Sequence, residues 1–292
     1  MNGTILVTGA TGNVGRELAQ LLRDAGQQLR AAVVSAADAA NLPEGVPWAL
    51  FDFTNPATYA AAFAGVDRLF LLRPPHIANI ARDMQPAIAY AAAAGVQHIV
   101  FLSLVGAEKN RFVPHAKVEA LLMAGSVPYT LLRCGFFMQN LSTTHRQDIR
   151  DHDDIFVPAG RGKTAFVDVR DIAAVAARVL TEPGHAQQAY PLTGGEALDY
   201  GAVAALMSDA LARPIGYSQP HFLRFAWRFW RRGHPLGYVA VMTAIYLTTR
   251  LGMAETVHPE TAVLLNRPSI TMRQFISDDA AVWQKTPQSQ GI

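Results

Sequence analysis

Through its first 135 residues the chain alternates short, largely apolar runs with longer segments whose apolar positions recur at helical spacing. Thr4–Thr8, Leu29–Val34, Trp48–Phe51, Arg68–Leu72, His98–Ser103 and Tyr129–Arg133 have the length and residue content of strands. Between them the spacing predicts helices over about Val14–Ala25, Ala57–Phe63, His76–Ala94 and Pro114–Ala124, and Gly26, Gly65 and Gly95 stop three of them. Strands that are apolar on both faces, each followed by a helix, predict a parallel sheet covered on both sides.

Beyond Cys134 the alternation loosens. A polar, charged segment covers Leu141–Asp154, and short strands at Ala165–Val169 and Ala189–Thr193 bracket a helix at Ile172–Leu180. Helices follow at about Tyr200–Ala212, Phe222–Arg232, Tyr238–Leu251 and Met272–Trp283. The expected fold class is α/β: a doubly wound parallel sheet of Rossmann type over residues 1–135, to which about 164–180 returns. A smaller, mostly helical α+β domain is expected over 136–292, on the substrate side.

The strongest local signal is the turn that leaves the first strand, Val7-Thr8-Gly9-Ala10-Thr11-Gly12-Asn13-Val14-Gly15. Gly9 suits a tight turn, Gly12 lacks a Cβ and lets a pyrophosphate reach the backbone, and Gly15 lets the helix close on the sheet. The free N–H groups of the helix that starts here point at the phosphates. The turn therefore predicts a dinucleotide held by Gly9, Thr11, Gly12, Asn13, Val14 and Gly15. At the end of the second strand, Val34 and Ser35 offer neither the carboxylate that would bind the ribose 2′-OH of NAD nor an arginine for the 2′-phosphate of NADP. With no carboxylate to repel a phosphate, and with Arg16 or Arg30 within reach, the expectation leans to NADP. Asp52, beside Phe53 after the third strand, is placed to accept a bond from the adenine amine.

Composition narrows the class. Charged residues make up 16% of the 292, against a usual share of roughly 25%, and mean hydropathy is +0.13, so the chain is not disordered. Cys134 is the only cysteine, which excludes a disulfide scaffold. Leu236–Thr249 is the most apolar stretch and is shorter than the ~20 residues a membrane span needs, so it is read as a core or interface helix. A strand-like run at Thr4 leaves no room for a signal peptide, so a cytoplasmic location is expected. The formal charge, 25 basic against 23 acidic residues, gives no sign of a nucleic-acid partner. It divides unevenly: Ala210–Ala254 carries six arginines and no acidic residue, leaving the remainder at −4.

The ordered set of motifs resembles the NmrA-like branch of the atypical short-chain dehydrogenase/reductases. It comprises Thr8–Gly15, Ala64-Gly65-Val66-Asp67, Arg73-Pro74-Pro75, Ala94-Gly95-Val96, His115 with Glu119, Pro128–Arg133 leading into Phe136–Asn140, Phe166–Ala173 and Tyr190–Gly194. The resemblance spans about 280 residues. It implies a dinucleotide-binding domain, a smaller C-terminal domain and a substrate cleft between them, and it adds Leu72, Arg73, Pro74 and His115 to the cofactor-binding set. The sequence departs from the family pattern in two respects: members that prefer NADP often carry arginine where Val34 stands, and the catalytic pair of the extended members is missing. Anchored on Glu119, the lysine of their Tyr-x-x-x-Lys pair falls on His115 and the tyrosine on Arg111.

The residues left to carry chemistry are His115, as proton donor or ribose anchor, and Ser103, as a hydroxyl for a carbonyl oxygen. Phe136, Phe137, Met138 and Asn140 are the candidates for a substrate pocket. The expected function is an NAD(P)H-dependent reduction of a small, largely apolar carbonyl, quinone-like or azo acceptor. A non-catalytic dinucleotide sensor with a protein partner, and a tailoring reductase or isomerase, are the alternatives; a homodimer is left open. His145, Asp148 and His152 share helical spacing, but interleaved charges read as a solvated segment, and no metal is expected. In Phe222–Arg232, aromatic and arginine stripes alternate, read as a packing or lid helix, with membrane contact and nucleic-acid binding as the alternatives.

Overall fold

The computed structural model describes residues 3–285, which fall into two compact units. Of the described residues, unit 1 takes those up to Cys134 together with Val169–Leu192 and Glu260–Arg267, and unit 2 takes the remaining segments. The chain begins in unit 1 with β1 (Thr4–Val7), α1 (Asn13–Asp24), β2 (Leu29–Val33), β3 (Trp48–Leu50), α2 (Tyr59–Phe63) and β4 (Val66–Leu72). It continues there through α3 (Ile80–Asp83), α4 (Gln85–Ala93), β5 (His98–Leu104), α5 (Pro114–Ala124) and β6 (Tyr129–Cys134). Unit 2 then receives β7 (Phe136–Phe137), α6 (Arg146–His152), β8 (Asp154–Ile155) and β9 (Phe166–Val167). The chain returns to unit 1 for α7 (Val169–Thr181) and β10 (Gln188–Leu192), then supplies unit 2 with α8 (Tyr200–Leu211), β11 (Gly216–Tyr217), α9 (Phe222–Arg231) and α10 (Leu236–Arg250). α11 (Glu260–Leu265) belongs to unit 1 and α12 (Met272–Asp279) to unit 2.

Unit 1 is a seven-stranded sheet in the order β3-β2-β1-β4-β5-β6-β10, every neighbouring pair parallel. Alternate residues of the central strands divide between its two faces. Leu6, Leu69, Leu71, Ile99 and Phe101 join Tyr59, Phe63, Met84, Ala87 and Val118 in one core, while α1 packs with α7. The strand order runs outward from β1 in one direction and from β4 in the other. The crevice at the carboxyl ends of β1 and β4 is therefore the topological switch point, where ligands of such sheets bind.

One predicted helix of unit 1 is two. The His76–Ala94 pattern begins only at Ile80, where the Asn79 side chain accepts the Arg82 N–H, and it is interrupted at Met84. Pro86 has no N–H to give and enters at the start of α4, where none is needed.

Among the described residues, unit 2 packs five α-helices and two two-residue strand pairs, β7 with β9 and β8 with β11, around an aromatic core. That core includes Phe156, Phe166, Tyr200, Phe225, Phe229, Tyr246, Phe275 and Trp283. The structure corrects the reading of the segment around His145 and Asp148 as solvated. Both side chains are fully buried, and the Asp148 carboxylate takes hydrogen bonds from Arg228 at 2.9 Å and from both terminal nitrogens of Arg232 at 2.7 Å. Burial alone would raise the Asp148 pKa, but the hydrogen bond and charge of Arg232, with Arg228, hold it below the usual range. His145 bonds the Tyr246 hydroxyl through Nε2. Among the described residues no group of histidine, cysteine and carboxylate side chains is arranged to hold a metal ion.

Candidate functional site

β1 delivers the chain into the glycine turn at the switch point. The Thr8 hydroxyl donates to the Phe70 carbonyl at 3.0 Å and accepts the Leu72 N–H at 2.8 Å, tying the ends of β1 and β4 together. Gly9 has φ +65°, the left-handed region, and its Cα side faces Leu72, whose Cδ1 would lie 3.1 Å from an added Cβ. The Gly12 N–H closes the turn on the Gly9 carbonyl at 2.9 Å. A Cβ on Gly15 would stand 2.2 Å from the Gly9 carbonyl oxygen and 2.7 Å from its carbon, so this glycine is required for the helix to meet the turn. A Cβ on Gly12 would meet only the Gly9 oxygen, at 3.3 Å, and Thr11, Gly12 and Asn13 are exposed. No side chain caps α1, and no acidic residue stands in its first turn. Its first N–H groups are open to an anion on the side where Gly12 leaves the backbone bare.

Around this turn lie the other residues expected to bind a dinucleotide. Asp52 Oδ1 is held by the backbone N–H and hydroxyl of Thr54, both at 2.8 Å, which fixes the carboxylate beside the buried Phe53. At the end of β2, Val34 is exposed, and Ser35 donates its N–H and hydroxyl to the Asp38 carboxylate at 3.0 and 2.8 Å. Arg30 is committed elsewhere: its guanidinium bonds the Ala62 and Ala64 carbonyls at 2.9 and 2.8 Å, closing the end of α2. Arg73, after β4, donates to the carbonyls of Pro74 at 2.8 Å, Pro75 at 3.2 Å and Ile77 at 2.7 Å, bracing that loop.

His115 opens α5, one turn before Glu119, with its ring 6.0 Å from that of Phe101. Burial pushes its pKa down to about 4, the Arg73 charge pushes the same way, and Glu119 opposes both. The imidazole is therefore neutral across physiological pH and offers one N–H and one lone pair. Ser103, in β5, gives its single hydroxyl proton to Glu119 Oε1 at 2.5 Å. Arg133, in β6, donates to both Glu119 oxygens at 3.1 and 2.7 Å and lies 3.5 Å from Glu108. Glu119 thus joins Ser103 to Arg133, a role the sequence reading did not assign. The signal was present, since Arg133 is a charge inside the apolar run Thr130–Cys134. Asp38 was also missed, because it lies three residues past Ser35 and only the turn brings it back.

The substrate-side candidates belong to unit 2. Phe136 and Phe137 are half-buried, with the Phe136 ring 5.9 Å from that of Phe166; Met138 is buried and Asn140 half-buried. Cys134 is buried, and its surroundings raise its thiol pKa, which fits an inert side chain.

Comparison with known proteins adds an independent line. The sequence profile of the NmrA-like family matches residues 1–247. The chain is 34% identical over 285 residues to an NAD(P)H azoreductase of Xenophilus azovorans, covering 96% of this chain and 99% of the relative. Its fold superposes with a TM-score of 0.83 on an NADPH-dependent quinone oxidoreductase of Escherichia coli complexed with NADPH, at 27% identity, covering 94% and 99% of the two chains. It superposes with a TM-score of 0.82 on the Citrobacter sp. triphenylmethane reductase complexed with NADP(H), at 25% identity, with coverage of 94% and 99%.

Proposed function

The chain belongs to the NmrA-like family, and from that premise we propose that it is an NAD(P)H-dependent reductase of small, largely apolar quinone-like or azo acceptors. The observation that carries the proposal is the uncapped start of α1 beside the bare backbone of Gly12, at the switch point of an all-parallel sheet. The residues present fit a dinucleotide. The first N–H groups of α1 would receive the pyrophosphate, Asp52 would accept the adenine amine, and His115 would bond the ribose.

When bound, the nicotinamide supplies the hydride. The protein's part is to position it and to keep the site's charges balanced. Glu119 is paired with Arg133 and accepts the hydrogen bond of the Ser103 hydroxyl, so the Ser103 hydrogen is already engaged within this cluster. A neutral His115 can donate one hydrogen bond to the ribose without carrying a charge. A reduced quinone or azo product takes its protons from water, so the absence of a tyrosine at position 111 does not prevent turnover. In unit 2, Phe136, Phe137, Met138 and Asn140 are proposed as the acceptor-binding set.

The proposed cofactor is NADPH, because no carboxylate stands at Val34 or Ser35 themselves. NADH is expected to serve as well, since Asp38 sits on Ser35 and the Arg30 guanidinium is engaged by the Ala62 and Ala64 carbonyls. A cytoplasmic location is part of the same proposal. The test is the oxidation of NADPH and NADH, followed at the nicotinamide absorbance, with a panel of quinones and azo dyes. Turnover with at least one acceptor supports the reading. Tight cofactor binding with no oxidation above background overturns it in favour of a dinucleotide sensor.

A further inference from the structure

The helices α9 and α10 leave a surface that the proposed chemistry does not use. α9 buries Phe225 and Phe229 in the unit 2 core. Its opposite side carries Leu223, Trp227 and Trp230, at i, i+4 and i+7, exposed by 75, 56 and 54%. That spacing aligns them in one stripe. Arg224 and Arg231 flank the stripe, and neither forms an ion pair among the described residues; Arg231 lies over the Trp227 ring at 5.0 Å. Arg228 and Arg232, by contrast, turn toward Asp148.

α10 packs beside α9 and has a second such face. It buries Val239, Met242 and Tyr246 while exposing Leu236, Val241 and Leu247, and it carries no charged residue before Arg250. A helix that is apolar on both its core side and its solvent side needs a second apolar contact.

We propose that the outer face of α9 and α10 rests on the surface of an anionic lipid bilayer. The apolar stripe enters the acyl boundary, the two tryptophans sit at headgroup level, and Arg224 and Arg231 meet lipid phosphates. Charge decides between the occupants. The segment Ala210–Ala254 has no acidic residue, and of its six arginines Arg213, Arg228 and Arg232 face Asp153 and Asp148, which leaves Arg224 and Arg231 on the outer face with no ion pair among the described residues. A second copy, seated on this face about a two-fold axis, would set the same arginines against each other with no carboxylate of this segment to receive them. An anionic bilayer supplies the opposite charge to Arg224 and Arg231. No helix among the described residues is long and apolar enough to cross a membrane, so the contact lies on the surface.

The test is co-sedimentation of the full chain with phosphatidylcholine vesicles that contain, or lack, phosphatidylglycerol. Binding is expected only to the anionic vesicles and weakens as salt rises. Arg224→Gln with Arg231→Gln lowers it roughly 30-fold, at about 1 kcal/mol for each arginine near an anionic surface. Trp227→Ser with Trp230→Ser lowers it at least as much, while the melting temperature of each exposed-site variant stays close to wild type. Three results overturn the proposal: no pelleting at low salt, equal pelleting of wild type and both variants, or a lipid-free dimer abolished by the tryptophan changes. The last would assign the face to a second copy.

Discussion

Gly12 and Gly15 both face the Gly9 carbonyl oxygen, and they are expected to fail in different ways when a methyl group is added. A Cβ on Gly15 would lie 2.2 Å from the Gly9 oxygen and 3.0 Å from the Ala10 Cα, all backbone atoms, so α1 or the turn must shift. Overpacking of this kind costs about 2–3 kcal/mol, a fall of roughly 4–8 °C in melting temperature for a chain of this size. Gly12 has φ −86° and ψ 173°, which alanine adopts without strain, and its added Cβ meets one atom at 3.3 Å. Gly12→Ala should therefore cost about 1 kcal/mol or less, chiefly as a poorer helix N-cap. Its methyl group, however, occupies the space through which a pyrophosphate reaches the backbone. NADPH affinity is expected to fall at least tenfold, or about 1.4 kcal/mol. The assay is a fluorescence titration of NADPH against each variant, paired with thermal melting. Wild-type NADPH affinity in Gly12→Ala would refute the phosphate-site reasoning, and an unchanged melting temperature in Gly15→Ala would refute the packing reasoning.

Other predictions follow from the same structure. Asp38→Asn removes a charge next to Ser35, and the ratio of kcat/KM for NADPH over NADH should rise about fivefold, since an exposed charge interaction is worth up to about 1 kcal/mol; a ratio that does not move would exclude Asp38 from the choice of dinucleotide. Because His115 has a pKa of about 4 in the fold, turnover should show no inflection from it between pH 6 and 8, and His115→Gln should retain a flat profile. A limb near pH 6.5 that disappears in that variant would contradict its neutrality. Asp148→Asn leaves two half-buried guanidinium groups without their carboxylate and should cost about 3–5 kcal/mol in denaturant unfolding; a loss below about 1 kcal/mol would show the cluster to be dispensable. His98, His115 and His145 all have pKa values lowered to about 4, chiefly by burial. The unfolded chain thus binds more protons between pH 6.5 and 4, so stability is constant above that window and falls with pH inside it. The slope is roughly 1.4 kcal/mol per pH unit for each histidine, readable from urea midpoints at pH 7.5 and 5.

How far the sequence reached depended on how local each signal was. The strands of unit 1 are apolar on both faces and long enough to declare themselves, and the glycine turn carries its chemistry within seven residues. The break at Met84 was hidden because Pro86 is tolerated in a first helical turn, so the periodicity continues across it. Unit 2 was harder. Its strands have two residues each, too few for alternation to register, and their pairing joins segments tens of residues apart. The burial of Asp148 was invisible for the same reason, since its partners Arg228 and Arg232 lie at least 80 positions away and the local sequence is dense in charge. Periodicity also overstated the core face of α9. Trp230 shares helical spacing with Phe222, Phe225 and Phe229, yet it points outward with Trp227. In the site itself, residue types suggested His115 and Ser103 as independent groups. The fold instead ties Ser103 to Glu119 and lowers the His115 pKa through burial beside Arg73, properties that exist only once β4, β5, β6 and α5 have assembled.

The central claim is that this chain moves a hydride from a reduced nicotinamide to a small acceptor. Its most direct test follows NADPH and one quinone together, at separate wavelengths and without oxygen, with a catalytic amount of purified protein. The account predicts many turnovers per chain and one NADPH consumed for each quinone reduced to hydroquinone. A protein that binds NADPH yet consumes no more than one equivalent, across quinones and azo dyes alike, would contradict it.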